Sequence, residues 1–364
     1  MPTTRQVIWW NVQRLLRPNG RSLSRALNAT AADGWSQATF QEKLARCAAT
    51  LRLLAGGQRP AIVALAEVAD DDLAARLGQL SGLGLQVVRE PASPLAGADL
   101  VLLIDPDLFT TIGTPISYNV SSRFTTRDLY EIGLRTTTGA ELVVVICHWP
   151  SRLISNSQPL RIAAADWTRR LIESRLKFGI SDIVDARGRR QLPPLARVAA
   201  RARAAVLLIG DFNDAPYDVS IDDVLGCVRD AERARDSMTT PQRRSGRAVD
   251  TYLSQRIRLV NPCWPLLVGT PGGSTLWNGQ WWLLDQVIHS PGMLAEPGPA
   301  GAASQTIHFV ADSVRLHAPR TVAVAGNDVT WCSPAGAPAP YNPKTRRGIS
   351  DHLPLTFELT VPDP

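Results

Sequence analysis

The stretch Val206-Leu207-Leu208-Ile209-Gly210-Asp211-Phe212-Asn213-Asp214 is four apolar residues, a glycine, and then three polar residues set around a phenylalanine. Residues 206–209 offer no alternating polar position, so they have no face to give to water and read as a strand buried on both sides. Residues 7–10, 61–66, 100–104, 142–147, 283–288 and 355–359 are strand-like apolar runs as well, several of them equally unbroken. Helical spacing appears between them. Thr39-Phe40-Gln41-Glu42 has the form of a capping box, and Phe40, Leu44, Cys47, Leu51 and Leu54 follow at helical intervals until Gly56-Gly57 stops the run. A second amphipathic run spans 160–171. Doubly buried strands with interspersed helices predict an α/β fold: a four-layer α/β sandwich, two mixed β-sheets packed face to face with helices outside. A single domain over 1–364 is expected. The polar, arginine-rich segments around 185–203 and 231–249 are surface excursions from it.

Composition narrows the class. The chain has 364 residues, 45% hydrophobic and 20% charged, enough to bury a large core. Its five cysteines, Cys47, Cys147, Cys227, Cys263 and Cys332, show no CxxC spacing, which argues against a zinc knuckle or a disulfide framework and for a reducing compartment. Residues 1–11 carry one Arg and no long apolar run, and no apolar stretch approaches ~18 residues, so neither a secretory leader nor a membrane partner is expected. A cytoplasmic protein is predicted. The formal net charge of +6 favours a polyanionic partner.

The candidate chemistry lies where polar residues end apolar strands. Asn11 ends residues 7–10, Glu67 ends 62–66, His148 ends 143–147, Asp211 and Asn213 follow 206–209, Asp285 sits within 283–288, and Asp351-His352 precede the last strand. Each alone has an ordinary explanation, a helix cap, a turn residue or a structural histidine. Six such coincidences point to one site. Cleaving a phosphate ester needs hard oxygen ligands for a divalent cation, a group that activates water, and neutralisation of the charge that develops on phosphorus. Carboxylates, Asn side chains and histidines at strand ends supply that set.

In this order the residues resemble the endonuclease/exonuclease/phosphatase superfamily. The resemblance is carried by Trp10-Asn11-Val12, Ala64-Leu65-Ala66-Glu67-Val68, Gly97-Ala98-Asp99-Leu100, Thr126-Arg127-Asp128, His148-Trp149-Pro150-Ser151-Arg152, Gly210-Asp211-Phe212-Asn213-Asp214, Leu284-Asp285-Gln286-Val287-Ile288 and Ser350-Asp351-His352-Leu353-Pro354. The His-Trp-Pro-Ser-Arg form is most similar to a bacterial branch. The resemblance implies that Glu67 is the central Mg²⁺ ligand, with Mn²⁺ as a substitute, and that Asn11 and Asp351 lie close to the same ion. It implies that Asp211 and Asn213 hold the attacking water or a second metal and contact the scissile phosphate. His352 would be the general base or a phosphate contact, with Asp285 fixing its tautomer. His148 would bind the phosphate or protonate the leaving oxygen, with Asp99 as its partner. Arg127 and Arg152 would neutralise non-bridging oxygens. Gln13 stands where abasic-site endonucleases of the superfamily carry an acidic residue, which argues against that repair activity. Cys147 reads as a small buried strand residue. His289, His308 and His317 match no motif and read as structural or surface residues.

The implied activity is a Mg²⁺-dependent phosphodiester hydrolase, with a nuclease acting on DNA or RNA as the first choice. A phosphatase or phosphodiesterase for a small polyanion such as an inositol, sugar or nucleotide phosphate is the alternative. A non-catalytic binding module is disfavoured by the full set of polar residues. Two basic clusters could track a nucleic-acid backbone: Lys344, Arg346 and Arg347 before Asp351, and Arg187, Arg189, Arg190, Arg197, Arg201 and Arg203 before Asp211. Trp277-Asn278-Gly279-Gln280-Trp281-Trp282 would either stack on a base or fill the core.

Overall fold

The computed structural model describes residues 2–18, 34–89, 100–118, 120, 129–238, 246–295 and 306–362. Along the chain come β1 (Thr3–Leu15), α1 (Gln37–Ala55), β2 (Ile62–Val68), α2 (Asp71–Ser81), β3 (Gln86–Val88), β4 (Leu100–Ile104), β5 (Phe109–Tyr118), β6 (Leu129–Thr136) and β7 (Glu141–His148). They are followed by α3 (Gln158–Leu176), α4 (Leu195–Ala202), β8 (Val206–Asp211), β9 (Cys227–Val228), α5 (Ala231–Asp236), α6 (Gly246–Ser254) and β10 (Leu259–Val260). The last part holds β11 (Thr275–Trp277), β12 (Gln280–Trp282), β13 (Asp285–His289), β14 (His308–Phe309), β15 (Arg315–Leu316), β16 (Thr321–Val324), β17 (Asn327–Thr330) and β18 (Leu355–Val361).

Two mixed seven-stranded sheets form. The first runs β14-β18-β1-β2-β4-β3, with β15 also on β18, and the second runs β5-β6-β7-β8-β13-β10-β9. Side-chain parity explains why the strands are unbroken apolar runs. Val7, Trp9, Ile62, Ala64, Val144, Ile146, Leu207 and Ile209 fill the layer between the sheets. Their neighbours point the other way: Ile8, Trp10, Val63 and Leu65 pack with Leu44, Leu51 and Leu73 of α1 and α2. Val145, Cys147, Val206 and Leu208 pack with Ala164, Ala165 and Ile172 of α3. Helix, sheet, sheet and helix make the four layers expected from the sequence.

Helix α1 is capped three residues before the capping box expected at Thr39. Ser36 is the N-cap, its Oγ accepting from Thr39 N while Thr39 Oγ1 accepts from Ser36 N. Trp35 before the cap and Phe40 after it belong to one buried cluster, the pattern of a hydrophobic staple that fixes the earlier start. Gly210 has a different task. A Cβ there would overlap the Cys147 carbonyl oxygen, so only glycine lets β7 and β8 run this close at their ends. The 185–203 excursion contains α4 and packs Phe178, Ile183, Leu192 and Val198 with Val249 and Tyr252 into a satellite core. Among the described residues no helix is long and apolar enough to cross a membrane.

Candidate active site

The same parity that fills the layer between the sheets delivers the polar residues. Asn11 shares the orientation of Val7 and Trp9, His148 that of Val144 and Ile146, Asp211 that of Leu207 and Ile209, and Asp285 that of Val287. Each sits where its strand leaves the core, so the site is the polar rim of the inter-sheet layer. In the second sheet, pairing places His148 opposite Asp211 and Asp211 opposite Asp285, a row of three across β7, β8 and β13. Asn11 pairs with Ala66 on the first sheet, beside Glu67.

Asp211 is the hub. Its Oδ2 accepts from Asn11 Nδ2 at 3.2 Å and lies 3.8 Å from His352 Nε2 and 3.9 Å from His148 Nε2. Its Oδ1 accepts the backbone N–H of Asn213 at 2.9 Å. Burial raises the Asp211 carboxyl above its ordinary range, with the facing histidines pulling the other way. Asn11 Nδ2 also donates to Glu67 Oε1 at 3.1 Å, and Arg14 N donates to Glu67 Oε2 at 2.8 Å. Glu67 has φ 62°, a left-handed backbone that a glutamate adopts only when its surroundings hold it there. Asn213 is left-handed too, at φ 51°, which asparagine tolerates; its Nδ2 donates to the Trp149 carbonyl at 2.9 Å.

His352 is held from behind. Its Nδ1 is 2.7 Å from Asp285 Oδ2, while Asp285 Oδ1 accepts from Trp9 Nε1 at 2.7 Å across the sheet interface. The backbone N–H of Asp285 donates to Ser274 Oγ at 3.1 Å, and Ser350 Oγ accepts from His352 N at 3.1 Å. Burial alone would lower the imidazole pKa, but Asp285 and Asp211 hold it well above the ordinary value. Asp285 therefore keeps the Nδ1 proton, and Nε2 is the atom that faces Asp211. No feature of the sequence marked Trp9 or Ser274, and Ser350 stood in a motif without a role of its own, because their polar atoms reach the site from positions that read as core or turn.

Arg152 reaches the site in a supporting position. Its Nε donates to the Asn213 carbonyl at 2.7 Å, its Nη2 donates to Asp214 at 2.9 Å and to Asp218, and its guanidinium lies 4.4 Å from the Trp282 ring centroid. These contacts occupy the fork expected to face phosphate and fix the Asn213 turn instead. Asp351 precedes His352, and its backbone carbonyl accepts from Thr275 Oγ1 at 2.9 Å. Asp99 and Arg127 lie outside the described residues. The Arg187 to Arg203 cluster precedes β8, whose first residue, Val206, lies roughly 17 Å from Asp211 by strand rise. There Arg189 pairs with Asp185, and Arg197 and Arg201 lie over Phe178. The excursion's contacts run to Ser174, Phe178, Val249 and Tyr252.

The donor set suits a hard divalent cation. Glu67 and Asp211 bring carboxylate oxygens to one Asn11 side chain, and Asp211 is buried beside a second carboxylate, Asp285. Asp211, Asp285 and His352 also bring ligand-type atoms within 4.8 Å of one another. Asp285 takes Trp9 Nε1 on one oxygen and His352 Nδ1 on the other, so within this triple it positions the proton on His352.

Comparison with known proteins agrees with this architecture. The family described as the Endonuclease/Exonuclease/phosphatase family matches residues 11–182, a span that includes Asn11, Glu67 and His148. No curated protein matches the chain in sequence. Among solved structures, ANGEL2, a 2′,3′-cyclic phosphatase in complex with adenosine-2′,3′-vanadate, is 11% identical with a TM-score of 0.51, over 99% of this chain and 96% of that one. TDP2 of D. rerio, complexed with a single-strand DNA product, is 12% identical with a TM-score of 0.50, over 99% and 100%. A family protein of Bacteroides thetaiotaomicron is 11% identical with a TM-score of 0.50, over 99% of each chain. At these identities the likeness is one of fold. The family model thus matches residues 11–182 in sequence, and the fold of nearly the whole chain is similar to that of these solved structures.

Proposed function

We propose that the protein is a divalent-metal-dependent phosphodiester hydrolase whose substrate is nucleic acid. The observation that carries it is the convergence on Asp211 Oδ2: two histidines from different elements aim Nε2 at the same carboxylate oxygen, and Asn11 links that oxygen to Glu67. Glu67, Asn11, Asp211, Asn213 and Asp351 would hold Mg²⁺, with Mn²⁺ as a substitute. When bound, the ion supplies charge neutralisation and Lewis acidity at the phosphate. His352, fixed by Asp285 and kept protonated by the carboxylates of Asp285 and Asp211, meets the phosphate through Nε2. His148 stands on the other side of Asp211 and delivers a proton to the leaving oxygen as the phosphorus–oxygen bond breaks. Asp99 would pair with His148, and Arg127 would neutralise a non-bridging oxygen.

Nucleic acid is favoured by what borders the site. Lys344, Arg346 and Arg347 are exposed on the turn that leads into Asp351. Trp277, 55% exposed, lies at the tip of the β11–β12 hairpin, whose base is bonded to the Asp351 carbonyl. TDP2, of the same fold, holds a DNA product, whereas ANGEL2 is a cyclic phosphatase. The test is a panel of plasmid, oligodeoxynucleotides, RNA, and inositol, sugar and nucleotide phosphates, each with Mg²⁺ or Mn²⁺. Cleavage of a nucleic acid is expected to be the fastest reaction. Rapid phosphate release from a small phosphoester with no nucleic-acid cleavage would assign the alternative substrate class.

A further inference from the structure

Behind Glu67 lies an unusual run of backbone. Gln13 and Arg14 follow each other at φ 52° and 50°, and Glu67 beside them is at 62°. Left-handed backbone disfavours any residue with a Cβ, more so two in succession, so the turn persists only if contacts hold it. Those contacts are visible. Gln13 N donates to Asn11 Oδ1 at 3.0 Å, Gln13 Oε1 accepts from Tyr341 N at 2.9 Å, and the Gln13 carbonyl accepts from Lys43 Nζ. The turn's product is the Arg14 N–H on Glu67 Oε2.

Lys43 is buried on α1, and its ammonium lies 5.3 Å from the Tyr341 ring centroid. Burial pushes it down to about 8, against the pull of Cys47, Asp351 and Glu67. Arg46, one turn along α1, donates to the carbonyls of Gly348 at 2.8 Å and Arg346 at 2.9 Å and lies 5.3 Å from the same Tyr341 ring. The Tyr341 hydroxyl donates back to Thr39 of α1 at 2.9 Å. Helix α1 thus grips both segments that carry candidate cation ligands, the end of β1 with Asn11 and the loop with Asp351. A methionine would fill the same volume without burying a charge, so the ammonium's hydrogen bond to Gln13 is the feature that needs a purpose.

Resting on the assignment of Glu67 as a cation ligand, we propose that Lys43 is a positioning residue: it locks the left-handed Gln13-Arg14 turn that presents the Arg14 amide to Glu67 and so orients that carboxylate. The test combines amide hydrogen exchange on the metal-free protein with Mn²⁺ calorimetry. Lys43→Met is expected to speed exchange at Arg14 at least tenfold, with Ile8 and Val63 unchanged, and to weaken Mn²⁺ binding about tenfold. Lys43→Met with Arg14→Asn, which tolerates the left-handed conformation, is expected to recover Mn²⁺ affinity to within threefold of the native protein. Native exchange at Arg14 in Lys43→Met would overturn the proposal, as would a loss of affinity that Arg14→Asn does not restore. If Lys43→Met does not fold, the double variant carries the test, and its failure to fold also overturns the proposal. A native protein that binds no Mn²⁺ would instead remove the cation site, while exchange at Arg14 still decides the role of Lys43.

Discussion

At the scale of single residues, Asp285 and His352 act through one hydrogen bond, 2.7 Å from Oδ2 to Nδ1, so their losses should not multiply. Asp285→Asn is expected to lower turnover while leaving divalent-ion binding in place, and Asp285→Asn/His352→Ala should be little worse than His352→Ala alone. Multiplicative losses in steady-state kinetics would separate the two. His289 offers a test of stability. It is buried, its Nδ1 lies 2.9 Å from the Ser290 carbonyl, its ring stacks on Phe309 at 4.5 Å, and burial lowers its pKa to about 4. Between pH 6.5 and 4 the unfolded chain binds a proton that the folded one refuses, so stability falls with falling pH by about 1.4 kcal/mol per unit from this group. Urea titrations across that range should show the slope, and His289→Gln should flatten it; an unchanged slope would place the acid sensitivity elsewhere. The sequence offered nothing for His289 beyond the absence of a motif, because its role is set by a ring on another strand.

At the scale of elements, most of the site was legible because strand ends are legible. An apolar run broken by one polar residue announces both the strand and the point where it leaves the core, and Asn11, Glu67, His148, Asp211 and Asp285 were found that way. What stayed hidden was contributed across sheets or helices: Trp9 reaching Asp285, Lys43 reaching Gln13, Arg152 turned onto Asp214 and Asp218. Strand β5 and helix α2 also escaped notice. The first alternates too weakly to stand out, with exposed residues over half of its length, and the second is short. Gly210 shows how tightly the elements are fitted. Gly210→Ala would drive a methyl group into the Cys147 carbonyl where β7 and β8 carry His148 and Asp211. A loss of about 1–3 kcal/mol or more is expected, read as a lower melting temperature together with reduced turnover. Native stability in that variant would contradict the packing described for these strands.

At the scale of the whole molecule, a formal net charge of +6 fits a polyanionic substrate, but its distribution matters more than its sum. The exposed Lys344, Arg346 and Arg347 turn leads to Asp351, whereas Arg187 and Arg189 lie in the excursion that precedes β8. Replacing Arg346 and Arg347 with Gln should reduce the log-salt slope of nucleic-acid binding by about one to two units, while Arg187→Gln/Arg189→Gln should leave it unchanged. Equal effects of the two pairs would mean that the bound strand wraps beyond the site. The four-layer architecture explains why so many charged and polar groups meet in one place: two sheets ending together expose one polar rim to which both contribute. The central claim is that this rim is a metal-dependent phosphodiesterase centre. Its most direct test is hydrolysis of a chromogenic phosphodiester by the purified protein with Mg²⁺, with EDTA, and as Glu67→Ala and His352→Ala with unchanged circular dichroism. The account predicts turnover that EDTA abolishes and that each substitution reduces at least a hundredfold; full activity in EDTA, or in Glu67→Ala, would contradict it.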